Sequence, residues 1–448
     1  MSQGLLEHLQ QSLSLYPANT RYWVAFSGGL DSTVLLHAMS ALQQRSPCEW
    51  KLSAVHVHHG LNGDADEWAK FCQQQCQQLD ILFEQLDVDA TAATGVSPED
   101  AARKVRYQAI SKLIDANDVL ITAHHQDDQA ETLFLQLMRG CGVPGLAAMP
   151  VTGDFFNRHL LRPFLHVSRR QLQQFAEDNA LDWVEDSSNR DQRFDRNFMR
   201  HQILPELSER WPAMTANLGR TAQHMAEAAE LLDQLAQQDI RTLQNQKDGS
   251  LSISGVQALD QNRQRNLLRY WLRSCGLPVP SHRQLQHILT DVLESAVHST
   301  PCVQWGGAEV RRYRDGLYAM PALSDCDGAT LLDWDMQSTL KIPGSGSLQF
   351  HDTKGPGLST SLRDNKLLQV RFRQGGEQIR PVQRGHQHEL KKLFQEAGIP
   401  PWVRERTPIL YLDEQIIAVA GLCICEPFQA TKGHAAMSLD WQQQFYTI

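Results

Sequence analysis

Two hydrophobic rhythms alternate through the first 140 residues. Tyr22-Trp23-Val24-Ala25-Phe26 is a short apolar run of β-branched and aromatic residues, the pattern of a strand buried on both faces. Residues 33–39 then keep helical spacing without a breaker. Strand patterns recur at 52–58, 81–86 and 119–123, and helical ones at 64–78, from Ser97 onward, and from the end of the fourth strand to about Gly140. In the helix that begins at Ser97, Ser97 can cap, Pro98 suits the first helical position and Asp100 stands three residues after the cap. This βαβα order predicts a doubly wound parallel sheet, which takes ligands at the carboxyl ends of its strands.

Beyond residue 150 the rhythm changes. Residues 151–165 read as a hairpin, 168–179 as a helix, and 197–207 as a second helix after a loop. Residues 221–243 form a long polar helix with few strong core positions. The stretches 257–274 and 282–295 predict a small helical domain, and 301–318 predicts strands. Residues 341–358, rich in Gly and Ser, read as a linker, and the remainder mixes short strands with one helix near 389–397. The expected organisation is an α/β domain over 1–215, a linking helix over 216–245, a mainly helical domain over 246–340 and a small α+β domain over 360–448.

A hydrophobic content of 42% with 21% charged residues is an ordinary globular balance, and no apolar run reaches membrane-spanning length. No basic segment followed by a hydrophobic one opens the chain, so no secretory signal is expected. Nine cysteines scattered over 448 residues do not make a disulfide scaffold, and a cytoplasmic protein with reduced thiols is expected. The net charge is −9, yet nine basic residues face four acidic ones between Lys366 and Arg406. Such a patch on an acidic body can bind phosphates in one place. Arg265, Arg269 and Arg273 likewise share one face of a helix whose other face carries Leu267, Leu268, Trp271 and Leu272. A plain amphipathic helix explains that pattern too.

The chemistry gathers at the strand ends. Ser27-Gly28-Gly29-Leu30-Asp31-Ser32 joins the first strand to the first long helix, so a glycine turn meets a helix N-terminus where a phosphate can sit. No lysine follows, so this is not a Walker loop. After the fourth strand comes Ala123-His124-His125-Gln126-Asp127-Asp128-Gln129-Ala130-Glu131-Thr132, which places carboxylates on one face of a helix start. That face can hold Mg²⁺, a substrate ammonium or, through His124, Asp128 and Glu131, a zinc ion. Arg103 and Arg106 lie on the Ser97 helix, where Arg103 can reach a phosphate or pair with Glu99.

Taken in order, SGGLDS, His56-x-His58-His59-Gly60-Leu61, EDAARxxRY, AHHxDDQAET, EDSSN and DRN resemble the tRNA(Ile)-lysidine synthetase family of the ATP-pyrophosphatase (PP-loop) superfamily. Gly375-Gly376-Glu377-x-Ile379-Arg380-Pro381 is similar to that family's C-terminal domain. The resemblance implies an adenine nucleotide alpha hydrolase-like catalytic domain. It also implies that ATP adenylates C2 of the cytidine at the first anticodon position of a CAU isoleucine tRNA, and that free L-lysine then displaces AMP. On this resemblance Ser27, Gly28, Gly29, Leu30, Asp31 and Ser32 hold pyrophosphate, with Asp31 reaching ATP through Mg²⁺. His124, Asp128 and Glu131 line the lysine and adenylate site, and Arg103 and Arg196 stabilise phosphate charge. The same loop also occurs in tRNA thiolases, but those that thiolate cytidine carry C-x-x-C pairs and this chain has none. A homodimer is left open.

Overall fold

The computed structural model describes residues 2–45, 49–58, 63–88, 98–186, 191–296, 299–325, 328–363, 367–382, 384–431 and 434–443. His59, Gly60, Leu61, Ser97, Ser187, Ser188, Asn189 and Lys366 therefore lie outside the described residues, as do the side chains of Glu99 and Asp100. The chain divides into two compact units, 1–231 and 232–448.

The first unit is built on a six-stranded sheet of order β3-β2-β1-β4-β6-β5. Its strands are β1 (Arg21–Ala25), β2 (Lys51–His58), β3 (Leu82–Asp87), β4 (Val119–Ile121), β5 (Thr152–Phe155) and β6 (Arg158–Leu161). The first four and β6 run parallel, and β5 closes the edge antiparallel to β6. Helices α1 (Ser2–Leu13), α2 (Leu30–Arg45), α3 (Ala65–Gln78), α4 (Pro98–Leu113), α5 (Gln126–Met138), α6 (Val143–Leu146) and α7 (Arg169–Asp178) join or flank the strands. The apolar run in β1 is explained by its central place: Tyr22, Trp23 and Val24 are all buried, Tyr22 and Val24 in one core cluster and Trp23 in another. β2 and β4 lie on opposite sides of β1, so the chain reverses direction across the sheet there. The loops that leave β1 and β4 part at this switch point, where α/β sheets bind ligands.

After α7, α8 (Asp195–Phe198) continues through a π-helical turn, Met199–Ile203, into the helix Leu204–Arg210. The division between the units falls inside the helix Met214–Leu243, which begins before the expected linker does.

In the second unit the helices Gln261–Ser274 and His282–His287 pack on an antiparallel four-stranded sheet that contains Ala308–Tyr313 and Gly316–Pro321. Leu267, Leu268, Trp271 and Leu272 form the buried face of the first helix, as their spacing predicts. The C-terminal part holds a five-stranded and a four-stranded antiparallel sheet. The linker expected over 341–358 is not one. Gly346–Lys354 is a strand paired along its whole length with Ala435–Gln443. Leu348 and Phe350 point into the core while Gln349 and His351 face solvent, a period-two pattern that the surrounding glycines and serines mask.

Candidate active site

The loop after β1 is closed by its own hydroxyls. Ser32 Oγ donates to the Gly29 carbonyl (3.0 Å) and lies 3.1 Å from Ser27 Oγ, while Thr33 Oγ1 donates to the Gly28 carbonyl (3.3 Å). Gly28 sits at φ +81°, and a Cβ there would come within 2.9 Å of Val184 Cγ2 and 3.1 Å of Cys72 Sγ. Backbone conformation and packing thus both require glycine. The Leu30 side chain is in the hydrophobic core, so only its amide can meet a ligand. Ser32 is buried and spends its hydroxyl inside the loop, leaving Ser27 as the exposed hydroxyl. The turn is thus braced by its own hydrogen bonds, and the first-turn N–H groups of α2 lack intrahelical acceptors and can serve a phosphate.

The loop after β4 meets it through His125. His125 is 2% exposed, and its Nε2 lies 3.5 Å from both Asp31 Oδ2 and Asp128 Oδ2. Its Nδ1 accepts the Asp127 amide (3.2 Å), while Asp128 Oδ2 accepts the His125 amide (3.0 Å), a reciprocal cap on α5. Burial lowers the His125 pKa, but hydrogen bonding to Asp127 and Asp31 and the charge of Asp128 outweigh it and raise the value to about 10. The cap demands a lone pair on Nδ1, whereas the carboxylates favour a second proton. In both states Nε2 carries a proton between Asp31 and Asp128. Asp31 Oδ1 is buried and has no hydrogen-bond partner. A buried carboxylate oxygen left open beside a phosphate-type loop is a fitting ligand for a phosphate-bound Mg²⁺.

The two helix-face carboxylates are already occupied. Glu131, 1% exposed, takes Arg200 Nε at 2.6 Å and Arg196 Nε at 3.0 Å. Asp128 Oδ1 takes Arg200 Nη2 at 2.9 Å. Arg196 and Arg200 are one turn apart across α8 and the π-helical turn, so both reach the same acid. The zinc arrangement of His124, Asp128 and Glu131 does not assemble, because Glu131 is turned to the arginines. Among the described residues no cluster of three or more His, Cys, Asp or Glu is placed to hold a metal ion.

His124 hydrogen-bonds through Nδ1 to the Thr122 hydroxyl (2.8 Å). Burial pushes its pKa down to about 3; Asp128 opposes this, and Arg103, Arg162 and Arg196 reinforce it. Arg103 Nη2 is 3.5 Å from the Tyr107 hydroxyl, and its guanidinium lies 5.1 Å from that ring centre.

The structure thus gathers Asp31, Asp128, Glu131 and Arg196 directly, and sets His124 and Arg103 in their field. Sequence reasoning missed three members. Arg200 was signalled by its spacing of four from Arg196. His125 stood beside His124 without a feature to distinguish it. Arg162 had no local signal, since its place depends on strand order. A cavity of about 200 Å³ lined by Leu5, His8, His166, Gln171 and Phe175 holds none of these groups.

The arginine-rich tail is paired differently from its charge count. Arg371 bonds Glu414 (3.0 Å), Arg380 Glu426 (2.9 Å), Arg384 Glu396 (2.6 Å) and Lys392 Glu389 (3.6 Å), and Arg373 approaches Glu377 (3.7 Å). Arg404 and Arg406 are buried, bonding the Ile399 and Trp402 carbonyls at 2.6 and 3.1 Å.

Comparison with known proteins follows the same division. A PP-loop domain model matches residues 3–207, a TilS substrate binding domain model 251–318 and a TilS substrate C-terminal domain model 368–441. Proteins named tRNA(Ile)-lysidine synthase are similar along nearly the whole chain. The one from Coxiella burnetii is 44% identical, covering 95% of this chain and 94% of its own length. That from Methylococcus capsulatus is 43% identical over 91% and 92%, and that from Serratia proteamaculans 40% over 95% and 97%. Among solved structures, a U34-tRNA thiolase from Methanococcus maripaludis aligns with 50% of this chain and 79% of its own, at TM-score 0.44 and 16% identity. A crystallised TilS C-terminal domain aligns with 26% of this chain and 98% of its own, at TM-score 0.22 and 23% identity.

Proposed function

The chain belongs to the tRNA(Ile)-lysidine synthase family, and on that premise we propose that it joins free L-lysine to C2 of the cytidine at the first anticodon position of tRNA(Ile) with a CAU anticodon. The family's PP-loop domain uses ATP. The cytidine O2 attacks the α-phosphate of ATP and pyrophosphate leaves. Lysine Nζ then adds to C2, AMP departs with the O2 oxygen, and the amine gives up its proton.

One observation carries this reading: His125 ties the phosphate-type loop at Asp31 to the acid–arginine cluster at Asp128. Adenylation needs a pyrophosphate cradle and a charged reaction centre at adjoining strand ends, and these two loops supply them. Gly28, Gly29 and the first-turn amides of α2 hold the leaving pyrophosphate, with the Ser27 hydroxyl at the rim. Asp31, through its open Oδ1, would hold a Mg²⁺ ion that would neutralise charge on that leaving group. Arg196 and Arg200 stay fixed on Glu131, so they meet developing phosphate charge without reorganising.

Neutral lysine is the nucleophile, and forming it at pH 7 costs about 4–5 kcal/mol. A carboxylate free to grip the ammonium would raise that cost. Asp128 and Glu131 are instead shared with guanidinium groups, and neighbouring cations favour the neutral amine. His124, unprotonated above about pH 3, is a positioning group here rather than the final proton store.

The test is incorporation of radiolabelled lysine into purified tRNA with ATP, wild type against Asp31→Ala. Label in the CAU isoleucine tRNA, absent from methionine tRNA and lost in the variant, is the expected result. AMP and pyrophosphate released with tRNA but without label would replace lysine by another nucleophile, sulfur first.

A further inference from the structure

Arg162 follows β6 at the carboxyl end of the parallel strands and is 8% exposed. Its Nη1 donates to the Pro150 carbonyl (2.8 Å), and Tyr107 is a hydrogen-bonding neighbour. Its Nε is buried without a partner. Among the described residues no carboxylate pairs with it; burial lowers its pKa, and a second cation, Arg103, is close enough to push it down further. Arg103 also has no acidic partner among the described residues. A buried guanidinium in that state is costly, and an incoming anion relieves the cost.

Arg406 shows what a purely structural buried arginine looks like in this chain. Its Nε is buried without a partner, as that of Arg162 is, but both of its terminal nitrogens are spent on backbone carbonyls, those of Trp402 and Ser324. Arg162 instead stands at the ligand-binding end of the sheet, beside a second arginine, Arg103, for which no acidic partner is found among the described residues.

Strand order decides which anion fits. β6 is two strands from β1, so Arg162 stands roughly 10 Å across the sheet from the phosphate-type loop. The His124 and Asp128 loop, after β4, lies between them. From its Nζ to its carboxylate an extended lysine spans about 7 Å, counting six bonds of standard length. A lysine whose amine reaches the centre beside Asp128 is therefore long enough to place its carboxylate at Arg162.

We propose that Arg162, together with Arg103 and the Tyr107 hydroxyl, binds the α-carboxylate of the amino-acid substrate. This rests on the lysine-ligating reading above. It makes the pair a specificity element for a free amino acid over a simple alkylamine.

The experiment compares kcat/KM for lysine and lysinamide, which lacks the negative charge, in wild type and Arg162→Gln. Wild type is expected to prefer lysine by about 10- to 100-fold, the worth of a charge-assisted pair. In Arg162→Gln that preference collapses through loss on lysine, while lysinamide and the KM for ATP hardly change. Equal losses on both amines would make Arg162 structural. A raised KM for ATP with the preference intact would make its ligand a phosphate. Either result overturns the proposal. Should Arg162→Gln not fold, Arg103→Gln on the more exposed side of the pair replaces it, and an unchanged lysine-to-lysinamide ratio there also overturns it. Wild-type protein that incorporates no lysine would instead sink the underlying reading, and this one with it.

Discussion

The cleft after β1, β4 and β6 and the arginine-rich tail both gather arginines, yet they use charge in opposite ways. In the tail nearly every described basic group already has a partner. Arg371, Arg373, Arg380, Arg384 and Lys392 face glutamates, and Arg404 and Arg406 face carbonyls. In the cleft Arg196 and Arg200 are matched to Asp128 and Glu131, while Asp31 Oδ1 is left buried and open, and Arg162, with an open Nε like those of Arg373 and Arg406 in the tail, has no carboxylate partner among the described residues. Buried groups without partners are expensive, so one at the ligand-binding end of a sheet gains most from an incoming ligand. Exposed ion pairs are cheap to exchange, so the tail can trade a glutamate for an RNA phosphate at little cost. Counting charges along the chain locates neither behaviour; pairing does.

Removing the shared acid should produce the largest effect. Glu131→Ala leaves two guanidiniums without their buried partner and is expected to destabilise the protein by about 3–5 kcal/mol in denaturant unfolding. A loss below 1 kcal/mol would mean the cluster is not a buried network. Asp31→Asn comes next: it keeps the side-chain shape but removes the open anionic oxygen, and AMP release with tRNA should fall about 100- to 1,000-fold while the melting temperature holds. An equal drop in both would make Asp31 structural.

Smaller effects separate buried from exposed arginines in the tail. Arg404→Ala should cost about 2 kcal/mol, since it orphans the Ile399 carbonyl and the Tyr313 hydroxyl. Arg384→Ala should leave stability unchanged and lower the salt slope of tRNA binding by about one. If Arg404→Ala changed the salt slope and Arg384→Ala did not, the contrast drawn between the two would be inverted.

The subtlest effect concerns pH. Folded His124 stays neutral down to about pH 3, whereas in the unfolded chain it takes a proton near 6.5. Acidification through that window favours the unfolded chain, so this residue subtracts stability as pH falls from 6.5 towards 4. His124→Asn should flatten the wild-type curve in that interval by up to about one proton per molecule. Parallel curves would show that His124 is solvated like a free imidazole.

Local sequence determined a good deal. The apolar run of β1, the glycine pair at Gly28 and Gly29, and the polar start of α5 are each readable within a few residues, because strand burial, turn conformation and helix capping are short-range demands. The segment 346–354 was misread for the complementary reason: its partner strand is some ninety residues away, and only that pairing shows which alternate positions are buried. The site divides along the same line. Asp31, His124, Asp128 and Glu131 announced themselves by motif, but not that Glu131 is answered by Arg196 and Arg200, nor that His125 bridges two loops. Arg162 was invisible, since nothing around it marks it until strand order sets β6 beside β4. Sequence by itself determined the alternating elements of the first domain and the residue types at their ends. Tertiary structure decided which charges meet and which stay open, because pairing depends on distance through space and on burial, neither of which is a property of any stretch of chain.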